Sequence, residues 1–336
     1  MNELIIKRKS KEPLYLQIAA AIRQQIENGV LDKGAILPSI NVFSKQYFVA
    51  RDTTERAYRM LKEQGWITSV KAIGSFVSGK AKQQELKVLL VFNKLSSFKK
   101  IIFYSFLEAL GDRATVDLKI HHYSPTLFNE IIQSGLGNYN YYVIMPHFEV
   151  SFSKTAYLKT LASIPKHQLV LLDRGIDELQ DVKGVFQDFM ADIYAALNLL
   201  KERFERYKTV VLIFPEFSNH PTEIIEGVKN FCKRYNKAFR IISNGSQIKL
   251  AHKQAYIVIE DDDLVSLIKR IRASELVLGK DVGVLSFNET PLKDLLDITV
   301  VSTDFKGMGK TAAELLFKPQ CIQVKNPFHV YLRSSL

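Results

Sequence analysis

The chain of 336 residues is poor in several residue types that mark protein classes. Its two cysteines, Cys232 and Cys321, lie far apart and belong to no CxxC or Cys/His cluster. That excludes a disulfide scaffold and a zinc finger and suits a reducing compartment. The seven histidines show no metal-ligand spacing. The single tryptophan is Trp66, so any aromatic platform elsewhere must be Phe or Tyr. No apolar run reaches the roughly eighteen residues of a membrane-spanning helix, and the opening MNELIIKRKS lacks the apolar stretch of a signal peptide. A cytoplasmic protein without membrane association is therefore expected. Repeats and low-complexity tracts are also missing. What remains, with 47% hydrophobic and 24% charged residues, is a globular composition. At about 100–200 residues per domain, two or three domains are expected.

The net charge of +11 is unevenly placed. Residues 1–80 hold thirteen Lys/Arg against seven Asp/Glu, while the other 256 hold thirty-three against twenty-eight. A concentrated positive excess favours an anionic partner for the first segment. The polar stretch Gly79–Glu85 precedes an abrupt apolar run from Leu86 to Phe92, which reads as a linker followed by a buried strand. The expected boundaries are 1–78, a linker at 79–85, and 86–336.

Within the first segment, Pro13 opens a helix with Leu14, Ile18, Ile22 and Ile26 at four-residue steps, stopped by Asn28-Gly29. Ser39 caps a second helix through Val42, Phe43 and Tyr47. Asp52-Thr53-Thr54-Glu55 has the spacing of a capping box opening a third. That helix turns Thr54, Ala57, Tyr58 and Leu61 inward and Arg51, Asp52, Thr53, Glu55, Arg56 and Arg59 outward. Trp66–Val70, a turn at Lys71-Ala72-Ile73-Gly74 and Ser75–Val77 make a hairpin. Three short helices and a hairpin form a winged helix-turn-helix, whose third helix enters the major groove. A small protein-interaction domain with a solvated charged face has the same periodicity. Arg51 and Arg56 suit bidentate bonds to guanine or phosphate, and Thr53 and Ser39 suit phosphate oxygens.

The same run resembles the DNA-binding domain of the GntR family of bacterial transcription regulators. The shared features, in order, are Pro13-Leu14-Tyr15 with Gln17-Ile18, the glycine-containing turn after the first helix, Leu37-Pro38-Ser39, Arg51-x-Thr53 and Gly74-Ser75-Phe76-Val77. The resemblance implies operator DNA as partner, with Ser39, Arg51, Asp52, Thr53, Arg56, Lys71 and Gly74 as the DNA-contacting set.

From Leu86 onward, short apolar runs alternate with helical periodicity, which indicates α/β architecture with parallel sheets covered on both faces. Two such sheets fit the length. Ligands in open α/β sheets sit beyond the carboxyl ends of strands. Those positions are Asn93, Phe98, His147, Phe148, Asp173, Arg174, Gln187, Asp188, Glu216, Phe217, Asp261 to Asp263, Asn288 and Glu289. Here LVLLDRG at 169–175, YIVIEDDDLV at 256–265 and VGVLSFNETPLKDLL at 282–296 resemble segments of the lactose-repressor family and the periplasmic sugar-binding proteins. The resemblance implies a two-lobed periplasmic-binding-protein-like domain and ligand roles for Arg174, Asp263 and Asn288, then Gln187 and Asp188. A sugar, with a monosaccharide as the natural class, suits Arg, Asp and Asn for its hydroxyls and a Phe such as Phe98, Phe148 or Phe217 for its apolar face. Asn93, Phe98, His147 and Phe217 complete the effector set.

Competing signals are weaker. Gly309-Lys310-Thr311 looks like the end of a phosphate-binding loop, but the position of that loop's first glycine is Asp304. The run Glu260–Asp263 offers oxygen ligands for a cation, a reading outweighed by sugar-hydroxyl acceptors or a solvated loop. No catalytic arrangement, metal site or cofactor is expected, and no lysine sits in a pyridoxal-binding context. The reading is α/β: an N-terminal winged helix-turn-helix followed by a two-lobed effector domain. It implies a homodimeric, sugar-controlled transcription regulator, a repressor by family habit. The alternative is a cytoplasmic sensor or enzyme whose N-terminal domain binds protein.

Overall fold

A computed structural model describes residues 13–70, 73–78, 86–149, 151–216, 220–245 and 248–336. Lys71, Phe217 and the segment 79–85 lie outside the described residues. The chain divides into two compact units, Met1–Leu86 and Lys87–Leu336.

The first unit contains α1 (Leu14–Glu27), β1 (Ile36–Leu37), α2 (Ile40–Tyr47), α3 (Arg51–Glu63), β2 (Ile67–Val70) and β3 (Gly74–Val77). Its core is the stripe foreseen from spacing: Ile18, Ile22 and Ile26 of α1 meet Phe43, Ala57, Tyr58 and Leu61. Tyr58 anchors the turn before α2 by donating its hydroxyl to the Pro38 carbonyl at 2.9 Å. The wing is three-stranded, because β1 pairs antiparallel with β3 beside the β2–β3 hairpin. Two residues of strand are too short to show periodicity. The capping box is not formed. The residue before α3 is Ala50, without a side-chain cap, and its carbonyl accepts from the Thr53 and Thr54 amides. The helix therefore starts two residues earlier than a cap at Asp52 would place it, and Asp52 stands in the first turn.

The second unit runs β4 (Leu86–Phe92), α4 (Ser97–Leu110), β5 (Ala114–Ile120), α5 (Pro125–Gly135), β6 (Tyr141–Ile144), α6 (Thr155–Ala162), β7 (Leu169–Asp173), β8 (Lys183–Phe186), α7 (Phe189–Leu199), α8 (Lys201–Phe204), β9 (Thr209–Ile213), α9 (Glu223–Arg234), β10 (Ala238–Ile242), β11 (Gln254–Val258), α10 (Asp261–Arg272), β12 (Val282–Phe287), α11 (Pro291–Leu295), β13 (Thr299–Thr303), α12 (Phe305–Leu316), β14 (Gln323–Lys325) and β15 (Phe328–Tyr331). One sheet has the order β14-β8-β7-β6-β4-β5 and the other β10-β9-β11-β12-β13-β15. The pairings are parallel along β14-β8-β7-β6-β4 and along β10-β9-β11-β12-β13. β15 is antiparallel to β13. Each sheet carries apolar clusters on its faces, including Val88, Leu90 and Phe92 in the first lobe and Val210, Leu212 and Leu285 in the second.

The chain passes between lobes three times, after β8, after β13 and between β14 and β15. The three passages are hydrogen-bonded together. Asn326 N donates to Phe186 O at 2.8 Å, Asp304 N to Pro327 O at 3.0 Å, and Asn326 Nδ2 to Asp304 O at 3.2 Å. They form a cross-linked hinge at the base of the cleft. Gly309, part of the apparent phosphate-loop motif, lies within α12, where a Cβ would stand 2.0 Å from Ser105 Oγ of α4. Close helix packing accounts for that glycine. Among the described residues no helix is long and apolar enough to cross a membrane.

Candidate functional site

In the first unit, burial of Thr54, Ala57, Tyr58 and Leu61 on α3 leaves Arg51, Asp52, Glu55, Arg56 and Arg59 exposed and Thr53 half-buried. The amphipathic reading thus places one continuous polar face outward. Ser39 is the N-cap of α2, its Oγ accepting from Val42 N at 3.3 Å, so the hydroxyl already has a structural partner. Arg56 lies over the Tyr15 ring at 4.0 Å, a cation–π contact with α1. That leaves Arg51 as the α3 arginine at the helix start without such a contact. Gly74 opens β3 at φ 138°, a conformation rarely open to other residues, beside Ile73 at 67% exposure. Phe48, in the turn between α2 and α3, holds a left-handed φ of 51° while 80% exposed. Spacing gave no sign of it, because helix ends of this kind favour glycine or asparagine.

In the second unit, the strand ends converge on a cleft between the lobes. One compartment, of about 700 Å³, is lined by Asn93, Phe98, His147, Asp263 and Asn288 among others. A second, of about 990 Å³, is lined by Arg174, Gln187 and Asp188. Every predicted effector residue within the described part therefore lines one compartment or the other, and Phe217 falls outside the described residues.

Several of these groups already have partners. Asp263 Oδ1 accepts from Gly245 N at 2.6 Å, and Asp188 caps α7 by accepting from Ala191 N at 3.0 Å. Arg174 forms an ion pair with Glu223 at 2.5 Å. It follows β7 of the first lobe, and Glu223 begins α9 of the second, so the pair spans the cleft. Lys325 of β14 and Asp192 of α7 make another cross-lobe pair at 2.8 Å. Burial raises the Asp192 carboxyl, against the pull of Lys325.

The strand-end rule named His147 and Asp173, but sequence reasoning missed Lys99 and the bonding that joins the three into the charged centre of the first compartment. Asp173, buried and at φ 69°, accepts from Lys99 Nζ at 3.2 Å and His147 Nε2 at 2.9 Å. Burial alone would raise the Asp173 carboxyl, but the Lys99 ammonium and the His147 hydrogen bond outweigh it and hold it well below the usual carboxylate range. Burial lowers the His147 imidazole, and the Asp173 bond opposes this only in part. A neutral His147 donating from Nε2 fits both directions. One sign was available: Lys99 shares a helix face with buried Ile102, Phe106 and Leu110, and a lysine in an apolar stripe requires a buried partner. Asn93 Oδ1 and both amide atoms of Gln187 are buried and have no hydrogen-bond partner among the described residues.

With this geometry in place, comparison with known proteins defines the class. Residues 14–77 match the bacterial regulatory proteins of the gntR family, and residues 205–326 match the periplasmic binding protein-like domain. The first stretch is thus similar to the DNA-binding domain of that family and the second to a periplasmic-binding-protein-like domain. Among curated relatives, it is 27% identical over 139 residues to the HTH-type transcriptional repressor NagR of Bacillus subtilis, covering 40% of this chain and 56% of that one. It is 32% identical over 90 residues to the mannosyl-D-glycerate transport/metabolism system repressor MngR of Escherichia coli, covering 27% and 38%. The matches thus span about half or less of these relatives. Similar folds include the trehalose repressor from Escherichia coli (TM-score 0.60, 17% identity, 74% of this chain and 100% of that one) and the transcriptional regulator CelR–cellobiose complex (TM-score 0.58, 15% identity, 89% and 100%). The Lac repressor dimer bound to operator is similar too (TM-score 0.61, 15% identity, 76% and 95%).

Proposed function

We propose that this protein is a transcription regulator, a repressor, that binds operator DNA through its winged helix-turn-helix and is controlled by a small carbohydrate in the cleft of residues 87–336. The observation that carries the reading is α3: its apolar face is buried and Arg51, Asp52 and Arg56 are exposed, within a stretch matching the gntR family. Arg51 reads a base edge or phosphate, and Thr53 and the wing at Gly74 meet the backbone. The cleft supports the second half, since a concave site with aromatic walls and a few placed polar groups suits a sugar. Relatives and a neighbour named as repressors, and a neighbour named as a transcriptional regulator in complex with cellobiose, point the same way.

One winged helix covers one half-site, so a homodimer on a two-fold operator is the economical assembly. Operator DNA places the protein in the cytoplasm, in keeping with the free thiols Cys232 and Cys321. Sugar binding shifts the lobes about the hinge and changes affinity for DNA, and the coupling is reciprocal. The test is binding of the purified protein to its own upstream DNA across a salt series. The reading expects affinity to fall steeply through counterion release. A flat salt response, or no binding, overturns it in favour of a protein-binding N-terminal domain.

A further inference from the structure

The two cleft compartments are contiguous. They share a wall made by His147, Phe189, His220 and Pro221. Each alone lies within the roughly 300–1,000 Å³ of ordinary small-molecule sites, so together they offer more room than one sugar ring occupies. Each also holds the same two provisions. In the first compartment, Asn93 is 4% exposed with its Oδ1 unpartnered among the described residues, and Phe98 stacks on Phe305 with centroids 4.8 Å apart. In the second, Gln187 is 5% exposed with Nε2 and Oε1 both unpartnered, and Phe148 stacks on Tyr157 at 4.1 Å.

Buried amide atoms without partners are rare in native proteins because each forfeits the hydrogen bonds it had in water. Besides Asn326 Oδ1 at the hinge, they occur among the described residues once in each compartment, each accompanied by a stacked aromatic pair. A ring hydroxyl can donate to Asn93 Oδ1. Gln187 needs both a donor and an acceptor, which a hydroxyl also supplies.

We propose that the effector is a disaccharide, one ring in each compartment, with its glycosidic linkage at the wall formed by His147 and Phe189. This rests on the carbohydrate reading above and departs from the single ring expected from sequence.

The experiment is calorimetric titration of the full-length protein with maltose, cellobiose, trehalose and lactose and with glucose and galactose. At least one disaccharide is expected to bind about ten-fold or more tightly than either of its component monosaccharides, the scale of one well-made hydrogen bond. Gln187→Leu, or Gln187→Met if the first variant melts below the wild type, should bring that ratio close to one. Asn93→Leu should weaken both sugar sizes by similar factors. A monosaccharide that binds as tightly as every disaccharide containing it overturns the two-ring assignment alone, as does a ratio unchanged in both Gln187 variants. Failure of every sugar, single or double, overturns the carbohydrate reading and the two-ring assignment with it.

Discussion

On α3 the groups assigned to DNA stand exposed on a helix whose opposite face is buried, whereas in the cleft the charged centre of Lys99, Asp173 and His147 is enclosed and its members are bonded to one another. Arg51 can lose its side chain with little consequence for folding. Asp173 cannot, because it neutralises a lysine that is only 8% exposed. In the first unit, function and stability are divided between two faces of a helix. In the second they share residues, and a ligand must engage a network that already holds the lobes together through Arg174–Glu223 and Lys325–Asp192.

Four measurements press on this contrast. The two units can be followed separately, because Trp66 alone reports the first by fluorescence while far-ultraviolet dichroism reports mainly the larger second. Asp173→Asn should lower the stability of the second unit by about 3–5 kcal/mol, the cost of a buried charge left without its partner, with Trp66 emission unchanged in urea titration. A loss shared by both signals would show that the units unfold together.

The next effect is of pH. Burial, against a backbone hydrogen bond to Met145, pushes the His121 imidazole down from 6.5 to about 4. Between these values the unfolded chain takes up a proton that the folded one refuses. The second unit should therefore lose up to about 3 kcal/mol as pH falls from 6.5 to 4, and His147, lowered in the same direction, adds to the trend. Asp173, whose folded carboxyl is depressed, contributes stability that is lost only below its ordinary value of 3.8. Thermal melts of His121→Phe should show a shallower slope above pH 4, and an unchanged slope would remove His121 from the account.

Arg51→Ala should weaken operator binding by about 1–3 kcal/mol and leave sugar titrations as they were. A loss of both would contradict the division of labour. The smallest effect is at Phe48. Relief of its left-handed backbone by Phe48→Gly, offset by glycine's greater freedom when unfolded, should stabilise the first unit by about 0.5–1 kcal/mol, read as a higher melting point of Trp66 emission.

How far these features were legible depends on the element. The α1 stripe, Ser39 as a cap, and the inward face of α3 were all readable, because each is a relation between residues a few positions apart. Strand β5 runs from Ala114 to Ile120 without a continuous apolar stretch. Its outward Thr115, Asp117 and Lys119 alternate with half-buried neighbours and hide the strand from a search for apolar runs. Helices α6 and α11 and the short strands β14 and β15 were not foreseen. β15 closes a sheet edge by pairing with β13, a partner some thirty residues away in sequence. In the cleft, the strand-end rule located the lining residues but not their bonding. Arg174 turned to Glu223, Asp263 to the Gly245 amide and Asp188 to the start of α7.

The sequence alone determined the alternation of strands and helices, the placement of positive charge and the outward face of α3, since periodicity, caps and charge counts are local properties of the chain. Only the tertiary structure decided which strand ends face one another across the cleft, that Lys99, His147 and Asp173 form one buried cluster, and that Asn93 Oδ1 and the Gln187 amide have no partner among the described residues. Burial, and the ion pairs and hydrogen bonds it makes necessary, come from residues brought together across separations such as the seventy-four positions between Lys99 and Asp173, and no local pattern encodes that proximity.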